Sequence, residues 1–158
     1  VRHLKKENEN FVLDLVGFFE DEYKEQVKEL EKHSIAHFYG FQSDPRPFYI
    51  EADCVVLPSY HEGMSNVLLE AAATGRPVIT SNIPGCRESV ENGKSGLLVE
   101  VKNKEMLYDA MKEMLHCSRE EREQMGQAGR EKIEREFRKE VVVEKTVQSL
   151  REDEKRDF

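Results

Sequence analysis

The sequence predicts an α/β fold, a Rossmann-like and mostly parallel sheet with helices on both faces. Three observations lead there. Apolar strand-like runs and charged amphipathic segments alternate five times along the chain, the pattern of β-α-β crossovers. The strand-like runs are short and nearly continuous in apolar residues, as in strands buried on both faces. The 158 residues suit one domain with a core of its own.

The elements follow in order. Residues 1–8 (VRHLKKEN) read as the end of a helix. Residues 11–19 (FVLDLVGFF) read as an interior strand. Residues 21–33 place Tyr23, Val27 and Leu30 at helical spacing among charges. Residues 35–40 (IAHFYG) give a second strand, and residues 45–52 a short helix with Asp44 as N-cap and Pro45 in the first turn. A third strand covers residues 53–58 (DCVVLP), followed by the loop SYHEGMSN. The next helix covers residues 65–74 and stops at Gly75 and Pro77. Residues 77–81 and 97–99 supply the fourth and fifth strands. A helix over residues 103–116 carries Met106, Leu107, Ala110, Met111, Met114 and Leu115 on one stripe, so its methionines read as core filler. Ser118 caps a further helix reaching about Phe137, and a charged helix begins near Glu140. Residues 1–150 form the expected domain, and residues 151–158 (REDEKRDF) a frayed tail.

Bulk properties remove several function classes. The formal net charge of −8 argues against a nucleic-acid partner. A single diphosphate remains compatible, since backbone N–H groups at a helix start can hold it. The three cysteines, Cys54, Cys86 and Cys117, show neither a disulfide pattern nor metal-ligand spacing. Cys54 reads as a small core residue. The run His61-Glu62-Gly-Met-Ser lacks the second histidine of a zinc-binding helix. His33 and His37 straddle a helix–strand boundary. Gly93-Lys94-Ser95 precedes a strand, which is the wrong side for a phosphate-binding P-loop. Neither G-x-G-x-x-G nor D-x-D occurs, so no dinucleotide or metal-bridged diphosphate is expected, and no cofactor. No apolar run is long enough to span a membrane.

Ligands on parallel sheets bind beyond the carboxyl ends of the strands. The loop after the third strand therefore matters most. It offers Glu62, then Gly63 for a tight backbone, then Ser65 or Asn66 opening a helix whose free N–H groups attract an anion. Glu70 follows one helical turn later, and its carboxylate can accept hydrogen bonds from two adjacent hydroxyls. A carboxylate, an anion-binding backbone and a second carboxylate suit the hydroxyls, diphosphate and ribose of a nucleotide-sugar. Alone, Glu62 reads equally well as a solvated loop acid; Glu70 could be an exposed helix residue, or be satisfied by Arg76 or another base.

The string Glu62-Gly-Met-Ser-Asn-Val-Leu-Leu-Glu70 resembles the E-x7-E motif of retaining, GT-B-fold glycosyltransferases of family 4 (group 1). Pro58-Ser59, Gly75-x-Pro77-Val78, Ile83-Pro84-Gly85-x-x-Glu88 and Glu91-Asn-Gly-x-x-Gly96-Leu-Leu-Val99 extend the similarity, which runs from about Phe11 to Phe137. The wording is similar to bacterial enzymes of capsule, exopolysaccharide and lipid-linked oligosaccharide assembly. The resemblance implies the donor-binding, C-terminal half of a GT-B enzyme. It implies that Glu62 is the catalytic-site residue holding donor-sugar hydroxyls. Backbone N–H groups of Gly63, Met64, Ser65 and Asn66 would meet the sugar and diphosphate. Val67 would pack under the nucleoside, Glu70 would take the ribose, and Gly40 and Phe41 would frame the base. The donor would be a UDP-sugar, and the acceptor a glycan or lipid-linked molecule held by an N-terminal domain.

The chain departs from the family pattern at its start. The family's first strand of this domain, its diphosphate-neutralising basic pair and the N-terminal domain are not in these residues. The expectations are therefore a sheet lacking one strand, apolar surface beside it that is left uncovered or is covered by a dimer or a rearranged terminus, and no transfer by this chain alone. The parent enzyme would be cytoplasmic, or peripheral at the inner face of the membrane. Two alternatives stay open from sequence, a sugar-nucleotide epimerase of related fold and a non-catalytic α/β interaction module.

Overall fold

The computed structural model describes residues 1–7, 10–18 and 20–154. Seven helices and five strands alternate along them. They are α1 (Arg2–Lys6), β1 (Leu13–Val16), α2 (Lys24–Lys32), β2 (Ala36–Gly40), α3 (Arg46–Glu51), β3 (Val55–Leu57), α4 (Asn66–Ala73), β4 (Val78–Ser81), β5 (Gly96–Val99), α5 (Lys104–His116), α6 (Arg119–Glu136) and α7 (Lys139–Glu154). Short 3-10 turns at Asp21–Tyr23 and Arg87–Ser89 were not foreseen from sequence. Residue 8, expected in the first helix, and residue 19, expected in the first strand, lie outside the described residues.

All strand pairs are parallel, as the alternation required, but they form two sheets rather than one. β1 pairs with β2, and β3-β4-β5 form the second sheet. β1 and β3 do not pair. Val12 and Val16, in and beside β1, are exposed at 59% and 40%. β4 is the central strand of the larger sheet and every residue in it is buried. Successive strand side chains point to opposite faces. Val78 accordingly joins Tyr49, Leu68, Ala71, Cys86 and Val90 on one face. Ile79 joins Leu97, Val99, Ala110 and Met114 on the other.

Local chemistry explains the helix boundaries. Asn103 caps α5 by accepting from the Met106 N–H at 2.9 Å. Ser118 and Glu121 form a reciprocal capping box at the start of α6. The N-cap of α3 is Pro45 rather than Asp44. Asp44 still accepts from the Arg46 N–H at 3.1 Å, so it does the capping one residue further out. Met106 leaves the expected stripe: it is 38% exposed, and its sulfur accepts from the Glu100 N–H at 3.3 Å. Cys54 packs against the second core cluster, and burial pushes its thiol up to about 12. It is a core residue without thiolate character. α7 continues through Arg151–Glu154, where a frayed tail was expected, and residues 155–158 lie outside the described residues.

The small-residue face of α6 clamps the C-terminal end of α4. A Cβ on Gly126 would lie 1.9 Å from the Gly75 carbonyl oxygen, which is backbone and cannot swing aside. A Cβ on Gly129 would make ordinary van der Waals contacts, with the Cβ atoms of Ser95 and Ala72 at 3.5 and 3.6 Å and the Ser95 carbonyl oxygen at 3.8 Å. Gly126→Ala is therefore expected to destabilise the fold by about 2 kcal/mol or more in urea unfolding. Gly129→Ala, on the same helix, is expected to change stability by less than about 1 kcal/mol, because alanine's better helix propensity offsets the contact.

Candidate donor-binding site

The carboxyl end of β3 delivers Pro58 into a loop that returns to helix α4 at Ser65. Within it Glu62 is half-buried, and the Ser59 hydroxyl donates to its Oε1 at 2.7 Å. The carboxylate is thus held by its own loop. His61 beside it is exposed.

The loop after β4 braces this one from below. Gly85 has φ +86°, a conformation glycine adopts without strain. A Cβ there would lie 2.2 Å from the Gly63 carbonyl oxygen and 2.5 Å from that of Glu62. The Gly85 carbonyl accepts from the Ser65 N–H at 3.0 Å, and the Gly85 N–H donates to Glu88 Oε2 at 2.8 Å. Sequence reasoning noted the Ile-Pro-Gly-x-x-Glu string but gave it no task. Its task is to shape the Glu62–Gly63 loop. A Pro-Gly pair straight after a strand, with a carboxylate three residues on, was the available signal. Beneath it Cys86 is fully buried, and burial raises its thiol above the usual range, with Glu62 and Glu88 adding to the effect.

Ser65 is the N-cap of α4, as expected, but its side chain makes no capping bond. Its N–H is already taken by Gly85, so it cannot meet a ligand in this geometry. This corrects the expectation for Ser65: its contribution is the turn itself. The N–H groups of the first helical turn are left without a side-chain cap. Gly63, Met64, Asn66 and Val67 are exposed around that helix start.

Glu70 is exposed on α4 and, among the described residues, joins no salt bridge. Arg76, the partner weighed from sequence, donates to the Ile50 carbonyl at 2.5 Å instead. Glu70 accepts from the Tyr49 hydroxyl at 3.1 Å. Tyr49 is 7% exposed, and burial first, then the Glu70 charge, push its ionisation up to about 12. Arg46 adds a nearby positive charge, but Asp44 holds its guanidinium at 2.7 and 2.8 Å.

Gly40 and Phe41 stand at the end of the smaller sheet. Gly40 accepts from the Gly17 N–H at 2.9 Å. The Phe41 ring stacks on Phe18, with centroids 5.1 Å apart and planes 10° apart. Among the described residues no hydrogen bond or ring contact joins Gly40 or Phe41 directly to the segment from Glu62 to Glu70. Helix α3 makes the link instead. Tyr39, beside Gly40, packs edge-on against Phe48 at 4.9 Å, and Phe48 precedes Tyr49. The sequence did not single out Tyr49, Phe48 or Phe18.

A cation also reaches this edge: Lys102, after β5, places its Nζ 5.8 Å from the Tyr60 ring. No cluster of three metal-ligating side chains occurs among the described residues. The site is an open rim rather than an enclosed cavity. A depression lined by Arg2, Lys5, Glu29 and His33 lies near Ile35, before the amino end of β2 and away from this rim. No helix among the described residues is long and apolar enough to cross a membrane.

Known proteins are similar to this chain in sequence and in fold. The capsular polysaccharide biosynthesis glycosyltransferase CapM of Staphylococcus aureus is 33% identical over 102 residues, covering 65% of this chain and 27% of that protein. An α-1,3-N-acetylgalactosaminyltransferase of Campylobacter jejuni, acting on N,N'-diacetylbacillosaminyl-diphospho-undecaprenol, is 35% identical over 98 residues, covering 62% of this chain and 26% of that protein. The chain thus spans about a quarter of the length of these relatives. Among solved structures, sucrose-phosphate synthase of Thermosynechococcus elongatus superposes with a TM-score of 0.75 at 28% identity, over 89% of this chain and 38% of that one. Anabaena HepE in complex with UDP superposes with a TM-score of 0.75 at 18% identity, over 96% of this chain and 52% of that one, a likeness of fold. The model of the family described as glycosyl transferases group 1 matches residues 1–132. That match spans most of the chain, and with its parallel strands and flanking helices the chain belongs to the group 1 glycosyl transferases.

Proposed function

We propose that this chain binds the nucleotide-sugar donor of a retaining glycosyltransferase, with UDP as the nucleotide. The observation that carries the reading is the start of α4. A helix terminus without a side-chain cap lies between a loop carboxylate, Glu62, and a helix carboxylate, Glu70. Anions are favoured at such a terminus, so the diphosphate belongs there. Glu62 then faces the sugar and Glu70 the ribose. The stacked Phe41 and Phe18 rings and Gly40 offer a flat apolar edge for the base. Membership of a transferase family favours group transfer over the epimerase and interaction-module alternatives. The UDP held by HepE makes that nucleotide the first probe to use.

In the complete enzyme, transfer would go from donor to a glycan or lipid-linked hydroxyl with retention at the anomeric carbon. The protein's main electrostatic task there is to stabilise the departing diphosphate. The rim offers uncapped N–H groups and Lys102 for that purpose. The acceptor would be held by a further domain, with the enzyme in the cytoplasm or against its membrane. No metal or other cofactor has a part in this scheme.

Four outcomes are expected. Glu70→Ala should weaken UDP binding about ten-fold or more, since a charge-assisted hydrogen bond contributes roughly 1.5–3 kcal/mol. Glu62→Ala should leave UDP binding nearly unchanged and lower turnover in the complete enzyme, because its contact grows as charge develops on the sugar. In NMR titration with UDP the shifts should centre on Gly40, Phe41 and the segment from Gly63 to Glu70. Parent-like UDP affinity in both variants, or shifts elsewhere, would remove the site. The isolated chain should show no useful transfer in a donor-hydrolysis or acceptor assay, because holding both reactants contributes up to ~7–11 kcal/mol. Robust transfer would contradict the division of roles.

A further inference from the structure

We infer that Tyr49 is a positioning residue for Glu70, fixing the carboxylate that reads the ribose diol and so setting the preference for nucleotides that carry one. The inference rests on the nucleotide-binding role proposed for Glu70. Glu70 is a long, exposed side chain with several free torsions, and alone it would sample many rotamers. One partner restricts it. The Tyr49 hydroxyl donates to Oε2 at 3.1 Å. Its ring is locked in the core with Leu68, Ala71 and Val78, and Leu68 and Ala71 belong to the same helix as Glu70. The donor therefore cannot drift, and the carboxylate it holds cannot either. With one acceptor site of Oε2 occupied, Oε1 and the remaining lone pairs are left to accept from two vicinal hydroxyls.

The phenol keeps its proton, because burial and the Glu70 charge both oppose ionisation. Throughout the ordinary pH range it donates to the carboxylate. Arg46 is the other charged group facing Glu70, but its guanidinium is bound in a fork by Asp44, so it supplies field rather than a bond. Tyr49 also sets a distance. Its neighbour Phe48 packs on Tyr39, which adjoins the Gly40–Phe41 edge offered to the base. One short helix thus spaces the ribose contact from the base contact.

The test uses NMR titration of the 158-residue chain with UDP and with 2′,3′-dideoxy-UDP, in the parent, Tyr49→Phe and Glu70→Ala. Tyr49→Phe keeps the ring and its packing. It should weaken UDP by about five-fold, as loss of one hydrogen bond does, and leave dideoxy-UDP unchanged. The ratio of the two affinities then falls toward that of Glu70→Ala. If Tyr49→Phe keeps the parent ratio while Glu70→Ala loses it, the positioning role is overturned and the nucleotide reading stands. If Tyr49→Phe weakens both nucleotides equally, its effect is only packing, and the positioning role is likewise overturned. If Glu70→Ala keeps the ratio, the ribose reading itself falls. Should Tyr49→Phe not fold, the Cζ shift of Tyr49 in the parent decides. Movement with UDP and not with dideoxy-UDP supports the inference, and an equal response to both overturns it.

Discussion

The carbonyl groups of Glu62 and Gly63 lie so close over Gly85 that no side chain fits between them, and the rim of the molecule is built around that contact. It locks the loop after β3 to the loop after β4, so the two strands' carboxyl ends act as one surface. The Ser65 N–H is drawn to the Gly85 carbonyl, which sets where α4 begins. The direction of α4 then sets where Glu70 stands. Ordering a glycine costs backbone entropy, and the fold accepts it at Gly85 because the approach of two backbones leaves no room for a side chain.

Around that contact the core supplies rigidity. β4 is buried on both faces, and its two faces lead to two separate clusters. One cluster contains Tyr49 and the inner face of α4, so the packing that holds the sheet also holds the rim. On the far side, α6 closes on the end of α4 through Gly126. α4 is therefore fixed at its start by a loop and at its end by a helix. The smaller sheet of β1 and β2 is tied less directly, through α3 and the Tyr39–Phe48 ring contact.

The charge distribution at the rim has a consequence for affinity. Glu62, Glu70 and Glu88 gather there, and the positive contribution comes from uncapped N–H groups, Lys102 and an Arg46 already bound by Asp44. Helix-terminus partial charges supply only about 0.3–2 kcal/mol each toward an anion. On the proposed function, a doubly charged diphosphate facing this rim should therefore bind weakly, while sugar and ribose hydroxyls would find strong acceptors. Hydroxyl recognition and diphosphate neutralisation are thus separable tasks, and this rim is equipped mainly for the first.

By itself the sequence determined the order and kind of the elements, because strand and helix differ in apolar period and because Asn103, Ser118 and Gly75 are local stop and start signals. It also determined the family and the segment from Glu62 to Glu70, since those residues are adjacent in the chain and share one loop and helix. Tertiary structure alone decided the rest. Gly85 meets Gly63, Tyr49 meets Glu70, and Phe18 meets Phe41 across 22, 21 and 23 positions of chain, and no periodicity marks such partners. Met106 leaves the stripe with its N–H donated to the Asn103 cap and its sulfur accepting from the Glu100 N–H, a pair of local bonds that helical period does not mark. The division into two sheets was decided at the same level: β1 and β3 are each good strands, but a strand pairs only with a neighbour that brings a hydrogen-bonding edge alongside it.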